Sequence, residues 1–138
     1  MVSRYKTSDA MFSSKSIHWR TPLEVYMELD KEFKFDFDPC PYKSKNRTGL
    51  LVGWGKRVYC NPPYNNIYNF IEKALIELKK QTEVVVFLLP SRTDSKWFHD
   101  LVLSKYHEIR LVRGRIKFDG KHNAPFASCI IIFKKRKK

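Results

Sequence analysis

At 138 residues the chain has room for one domain with a continuous core and none for a second catalytic domain. Its 27 Lys and Arg against 14 Asp and Glu give a net charge of +13, beside 14% aromatic residues, a balance that favours nucleic acid as partner. There is no run of roughly eighteen apolar residues and no signal peptide, so a soluble, intracellular protein is expected. Cys40, Cys60 and Cys129 are scattered, odd in number and lack a C-x-x-C pair, which argues against a zinc site or a disulfide framework.

Residues 1–16 are rich in Ser, Lys and Thr without sustained periodicity and read as a flexible basic arm. In Trp19-Arg20-Thr21-Pro22, Thr21 is an N-cap candidate and Pro22 a first helical residue, followed by Leu23, Tyr26, Met27, Leu29 and Phe33 at helical spacing. Phe33-Lys34-Phe35-Asp36-Phe37-Asp38 alternates aromatic with polar and predicts a strand ending on a carboxylate, stopped by Pro39-Cys40-Pro41. Residues 42–49 form a basic loop, and Leu50-Leu51-Val52 predicts a short strand before Gly53-Trp54-Gly55.

Val58-Tyr59-Cys60 predicts a strand that delivers the tetrapeptide Asn61-Pro62-Pro63-Tyr64. Ile67, Phe70, Ile71, Ala74, Leu75 and Leu78 then recur as one face of a helix. The apolar run 84–89 reads as a strand covered on both faces in a parallel sheet, ended by Pro90 to Thr93. Thr93 or Asp94 is a cap candidate for a helix carrying Trp97, Phe98, Leu101 and Val102. Two further strands, near 108–113 and 127–133, flank the basic excursion 114–120, and residues 134–138 form a solvated basic tail. The order of elements predicts an α/β domain over 17–133, with a mainly parallel sheet and a C-terminal antiparallel strand pair. Ligands of such sheets bind beyond the carboxyl ends of the strands, where Asp38, Asn61 and residues 90–93 all fall.

The tetrapeptide carries the most chemistry. Two prolines fix their own φ and hold Asn61 and Pro62 extended, so the backbone is stiff before any ligand arrives. With no N–H on either proline, the turn displays carbonyl oxygens beside an amide that also accepts, and an aromatic ring follows. Acceptors aimed at one point next to a π-face suit a planar heterocycle with an exocyclic amine, such as adenine. A rigid turn with Tyr64 in the core is the structural alternative. His18, His99, His107 and His122 show no metal-ligand spacing.

From Trp19 to Phe133 the chain resembles the short phage-type DNA N-6-adenine methyltransferases (Dam). The resemblance rests on Trp19-x-Thr21-Pro22, Asp38-Pro39-Cys40-Pro41, Trp54 ahead of Cys60 to Tyr64, Leu89-Pro90-x-Arg92-Thr93-Asp94 with Trp97-Phe98-His99, Gly114-Arg115-x-x-Phe118, and Ala124-Pro125-Phe126 before Ser128. It implies a compact Rossmann-like methyltransferase fold, S-adenosylmethionine as cofactor, DNA as partner and a phage or prophage setting. Asn61, Pro62, Pro63 and Tyr64 are then the catalytic turn. Asp38, Pro39, Thr21, Pro22 and Asn61 are cofactor contacts, and Arg92, Arg113, Arg115 and Lys117 are DNA contacts. The chain departs from the family pattern at Arg47-Thr48-Gly49-Leu50, where an acidic residue is expected before Gly-Leu, and it has no Gly-rich turn after Asp38. An RNA or other amine methyltransferase sharing the turn, or a non-catalytic nucleic-acid-binding protein on a degenerate methyltransferase fold, would share many of these features.

Overall fold

In the computed structural model the described residues are 19–42 and 48–137. The proposed arm at 1–16 and residues 43–47 of the basic loop lie outside them. Helix α1 spans Leu23–Phe33, with Leu29 and Phe33 turned into the core, and ends where Lys34 adopts a left-handed φ of 55°. A second, four-residue helix α2, Thr48–Leu51, leads to strand β1, Arg57–Cys60. Helix α3, Ile67–Glu77, crosses over to strand β2, Val84–Pro90. A π-helical stretch Phe98–Val102 precedes the short helix α4, Leu103–Lys105, and strands β3, Glu108–Leu111, and β4, Ser128–Lys134, complete the chain.

The strands form one sheet in the order β1-β2-β4-β3. β1 pairs parallel with β2, whereas β4 pairs antiparallel with both β2 and β3. The sheet is therefore mixed, not mainly parallel as predicted, although the C-terminal antiparallel pair is present. The unbroken apolar run of β2 misled the expectation because it reports that both faces are covered, not which way the neighbour runs. Every residue of β2 is buried, and Cys129 to Phe133 of β4 are buried with it.

Three local expectations are also corrected. The strand predicted over 33–38 shrinks to one parallel bridge, Phe37 to Val58, because Phe33 belongs to α1 and the left-handed turn at Lys34 uses up the next residues. Leu50 and Leu51 lie in a helix instead of a strand. Ser95, not Thr93 or Asp94, caps the later helical segment, its Oγ accepting the Phe98 N–H at 3.3 Å. No helix among the described residues is long and apolar enough to cross a membrane.

Residues 49–55 are tied down from α3. Glu77, 1% exposed, accepts the Trp54 N–H at 2.7 Å and the Gln81 amide at 2.9 Å on one carboxylate oxygen. Its other oxygen pairs with Lys73 at 3.2 Å and Lys80 at 3.8 Å. Trp54 in turn donates its indole N–H to the Gly49 carbonyl at 2.7 Å. Gly49 packs so closely on Pro39 that a Cβ there would collide with the Pro39 carbonyl. One buried carboxylate thus fixes a segment with little secondary structure of its own against the residue that follows Asp38.

Burial alone would push the Glu77 carboxyl up, but its hydrogen bonds from Trp54, Gln81 and Lys73 outweigh that, and its pKa falls below the ordinary 4.5. A depressed carboxylate stabilises the fold above its unfolded pKa, and that contribution disappears as the pH falls through the native one. Glu77→Ala should lower the unfolding free energy at neutral pH by about 3 kcal/mol, since it leaves a buried N–H and two ammonium groups without their acceptor. Glu77→Gln should lose less, because it still accepts from Trp54. Urea denaturation of both variants measures the difference, and it should narrow in acid.

Candidate active site

β1, β2 and β3 run the same way, so their carboxyl ends share one edge of the sheet with the start of β4. Asn61 leaves β1 there, Arg92 lies just past β2, and Asp38 follows the Phe37 bridge. A cavity of about 470 Å³ opens on this edge, lined by Thr21, Pro22, Asp38 and Asn61. Four of the five residues assigned to the cofactor from the sequence are thus brought together. The fifth, Pro39, is buried beneath Asp38 against Gly49.

The Asn61 side chain is pinned. Its amide nitrogen donates to the Trp19 carbonyl and, at 3.1 Å, to Thr21 Oγ1. Thr21 Oγ1 and Tyr59 Oη also lie 2.6 Å apart. The predicted capping role of Thr21 is therefore corrected: Pro22 occupies the cap position of α1 without a side-chain hydrogen bond, and the Thr21 hydroxyl is used by the site. These contacts fix the amide with its nitrogen toward Trp19 and Thr21 and its oxygen on the opposite side. Pro62, Pro63 and Tyr64 are all buried, and the Pro63 carbonyl accepts the Asn66 N–H at 3.0 Å as the turn enters α3.

Asp38 is the carboxylate of the cavity. Burial raises its pKa to about 6, only partly offset by the Cys40 N–H that it accepts at 2.8 Å. Tyr26 and Tyr59, whose rings meet edge to face at 5.1 Å, stand close enough for its charge to raise their own pKa values, though burial is the larger cause for both. A half-buried acid with few donors is suited to receive hydroxyl or ammonium donors from a ligand.

Tyr64 is 8% exposed and packs edge to face on Phe126 at 5.3 Å. The Arg92 guanidinium lies 5.9 Å from the centre of its ring. The Tyr64 hydroxyl is buried without a hydrogen-bond partner among the described residues, and burial raises its pKa well above the ordinary 10.0. Phe126 belongs to an aromatic cluster with Trp19 and Phe118, their centroids 5.2 to 6.0 Å apart. That cluster folds the excursion between β3 and β4 back over the site. Ile116 and Phe118 are its buried anchors, while Arg113, Arg115 and Lys117 stay exposed, and Arg115 also donates to the Ala124 carbonyl at 3.3 Å. The assigned DNA contacts therefore fall in two places, Arg92 on the tetrapeptide and the other three on the excursion.

Trp19, Tyr26, Tyr42, Tyr59 and Phe118 line the cavity as well, and sequence reading gave none of them a role there. Only their clustering in aromatic-rich blocks hinted at it. Among the described residues no group of side chains could hold a metal ion, and the three cysteines are free and buried.

A family model for DNA N-6-adenine-methyltransferase (Dam) matches residues 10–137. The chain is 30% identical over 112 residues to the DNA N-6-adenine-methyltransferase of Haemophilus phage HP1 (strain HP1c1), covering 72% of this chain and 65% of that protein. It is 28% identical over 107 residues to the DNA N-6-adenine-methyltransferase of Escherichia phage T1, covering 69% of this chain and 44% of that one. The chain thus spans less than two thirds of the length of either relative. With the match running through nearly all of the sequence, the chain belongs to the DNA N-6-adenine-methyltransferase (Dam) family.

Proposed function

We propose that the protein transfers a methyl group from S-adenosylmethionine to the 6-amino group of adenine in DNA, on a compact Rossmann-like domain. The observation that carries this reading is that Asn61, at the head of the Asn-Pro-Pro-Tyr turn, lines the same cavity as Asp38. Both phage relatives bear names for that activity. The Rossmann-like reading is supported by three co-directional strands whose carboxyl ends meet at the cavity.

The residues present fit the cofactor. A volume of about 470 Å³ lies within the range of small-molecule sites. The aromatic lining suits a flat heterocycle, and Asp38 suits hydroxyl or ammonium donors. When bound, the cofactor supplies an electrophilic methyl group on a sulfonium. Asn61 Oδ1 and the Pro62 carbonyl would accept the two N–H bonds of the adenine amine, localising a lone pair otherwise delocalised into the ring. Alignment of that amine contributes up to roughly 7–11 kcal/mol, and fixed dipoles supply the rest without a strong general base. The bonds from Asn61 to Trp19 and Thr21 hold its amide in place beforehand. Tyr64 would stack on the base once it leaves the duplex, worth about 1–3 kcal/mol. Arg92, Arg113, Arg115 and Lys117 would hold phosphates or read base edges.

Mass spectrometry of nucleosides from DNA incubated with the protein and S-adenosylmethionine tests the reading. Formation of N6-methyladenine is expected; methyl transfer confined to RNA, or cofactor-independent DNA binding alone, sinks it. Asn61→Ala should reduce the rate by about 100- to 1000-fold, as for loss of one oriented group at a reacting centre, while DNA affinity changes little. Loss of DNA binding instead would make the turn structural.

Asp38 adds a pH signature. Its raised pKa means that folding binds a proton, so ionised Asp38 lowers stability progressively as the pH rises from 3.8 to about 6. A ligand that donates to the carboxylate needs it ionised. Affinity for S-adenosylhomocysteine, measured by calorimetry, should therefore weaken as the pH falls below about 6. Asp38→Asn should bind more weakly at neutral pH and lose that dependence.

A further inference from the structure

On the edge of the sheet away from Asn61, β2 begins at Val84 opposite Lys134 of β4. Here a second groove, of about 490 Å³, runs between the end of α3, Lys105 of α4 and the end of β4. Its rim carries five cations, Lys79, Lys105, Lys134, Lys135 and Arg136, and no carboxylate. None of the five forms an ion pair among the described residues. The nearby acids are engaged elsewhere: Glu77 is buried with Lys73 and Lys80, Glu83 lies 3.8 Å from Arg57, and Glu32, close enough to feel the charge of Lys134, is paired with Arg110 at 2.6 Å.

The rim is also held in place. Lys134 is the last residue of β4, the Lys135 N–H donates to the Glu83 carbonyl at 2.8 Å, and the Lys135 ammonium donates to the Lys80 carbonyl. Lys134 and Lys135 are thus anchored through β4 and these bonds, while Lys134, Lys135 and Arg136 all remain exposed. Five unpaired cations kept together repel one another, and a polyanion laid across them relieves that repulsion. Between these cations the lining is apolar, formed by Leu75, which is partly buried, and by Leu78 and Phe133, 7% and 1% exposed. A partner here is gripped by charge, with the lysine stems lying along the floor. Five cations without a carboxylate among the lining residues match the continuous charge of a sugar-phosphate backbone, and an acidic peptide is the rival occupant that the test separates.

We propose that this groove is a second DNA-contacting surface, holding the phosphates of a segment other than the one presented to Asn61. It rests on the reading of the protein as a DNA enzyme and extends it: one molecule grips DNA on both edges of its sheet.

A bridging assay tests this with the full chain. Protein is loaded on an immobilised duplex, washed, and offered a second, fluorescent duplex. Wild-type protein should retain the second duplex, and Lys79→Ala/Lys105→Ala should retain much less, its salt slope reduced by about 2 for two lost phosphate contacts. Both lysines are exposed, so an unchanged melting temperature should accompany the loss, along with an unchanged methylation rate on a short duplex. Failure of the wild type to bridge overturns the proposal. So does equal bridging by the variant, which would indicate pairing of two protein molecules, or tighter binding of polyglutamate than of duplex to the wild type. Bridging by a protein that forms no methyladenine would support the groove while ending the methyl-transfer reading.

Discussion

The site depends on one side chain being held from behind. The Asn61 amide nitrogen is tied to the Trp19 carbonyl and the Thr21 hydroxyl, residues far away in sequence that lie just before α1. The tie joins three things: the stiff Pro-Pro turn after β1, the segment that starts the described fold, and the cavity wall formed by Trp19 with Phe118. An amide without such anchoring would rotate and present donor or acceptor indifferently. Here its orientation is a property of the fold, in place before any ligand binds.

The mixed sheet explains how so short a chain can bring the parts to one edge. β4, running against its neighbours, sits between β2 and β3, so β3 still points the same way as β1 and β2. The excursion from β3 to β4 then begins and ends at the cavity edge, and its aromatic residues close over the tetrapeptide. On the other side, Glu77 and Trp54 do for residues 49–55 what extra strands would otherwise do, giving a nearly bare segment a fixed position against Pro39.

The sequence was legible where one residue type has one physical consequence. Helical spacing from Ile67 to Leu78 marked α3, the apolar run marked β2, and the paired prolines marked a rigid turn. Pairing direction was not legible, because burial on both faces looks alike in either sense. The fate of Phe33 to Asp38 was hidden by the left-handed turn at Lys34, which no glycine or asparagine announced. For the site, Asp38, Thr21 and Asn61 could be nominated singly from strand ends and from the family resemblance. That Thr21 would spend its hydroxyl on Tyr59 and Asn61, instead of on a helix N-terminus, depends on tertiary contacts across about forty residues, and local pattern carries no trace of them.

The guanidinium of Arg92 over the ring of Tyr64 has an implication for the order of events. A cation held against an aromatic face is worth about 0.5–1 kcal/mol at an exposed site, and a stacked base about 1–3. If the proposed stacking occurs on the same face, base entry is a substitution and not an addition. The base must evict the protein's own cation, so the net gain on the ring is smaller than the stacking energy alone. The evicted arginine is then released beside a strand of phosphates, at the moment when the backbone of an extruded nucleotide most needs a counter-charge. On that reading the resting contact would act as a safety catch, keeping the slot filled until DNA supplied both the ring to replace the cation and the phosphate to receive it.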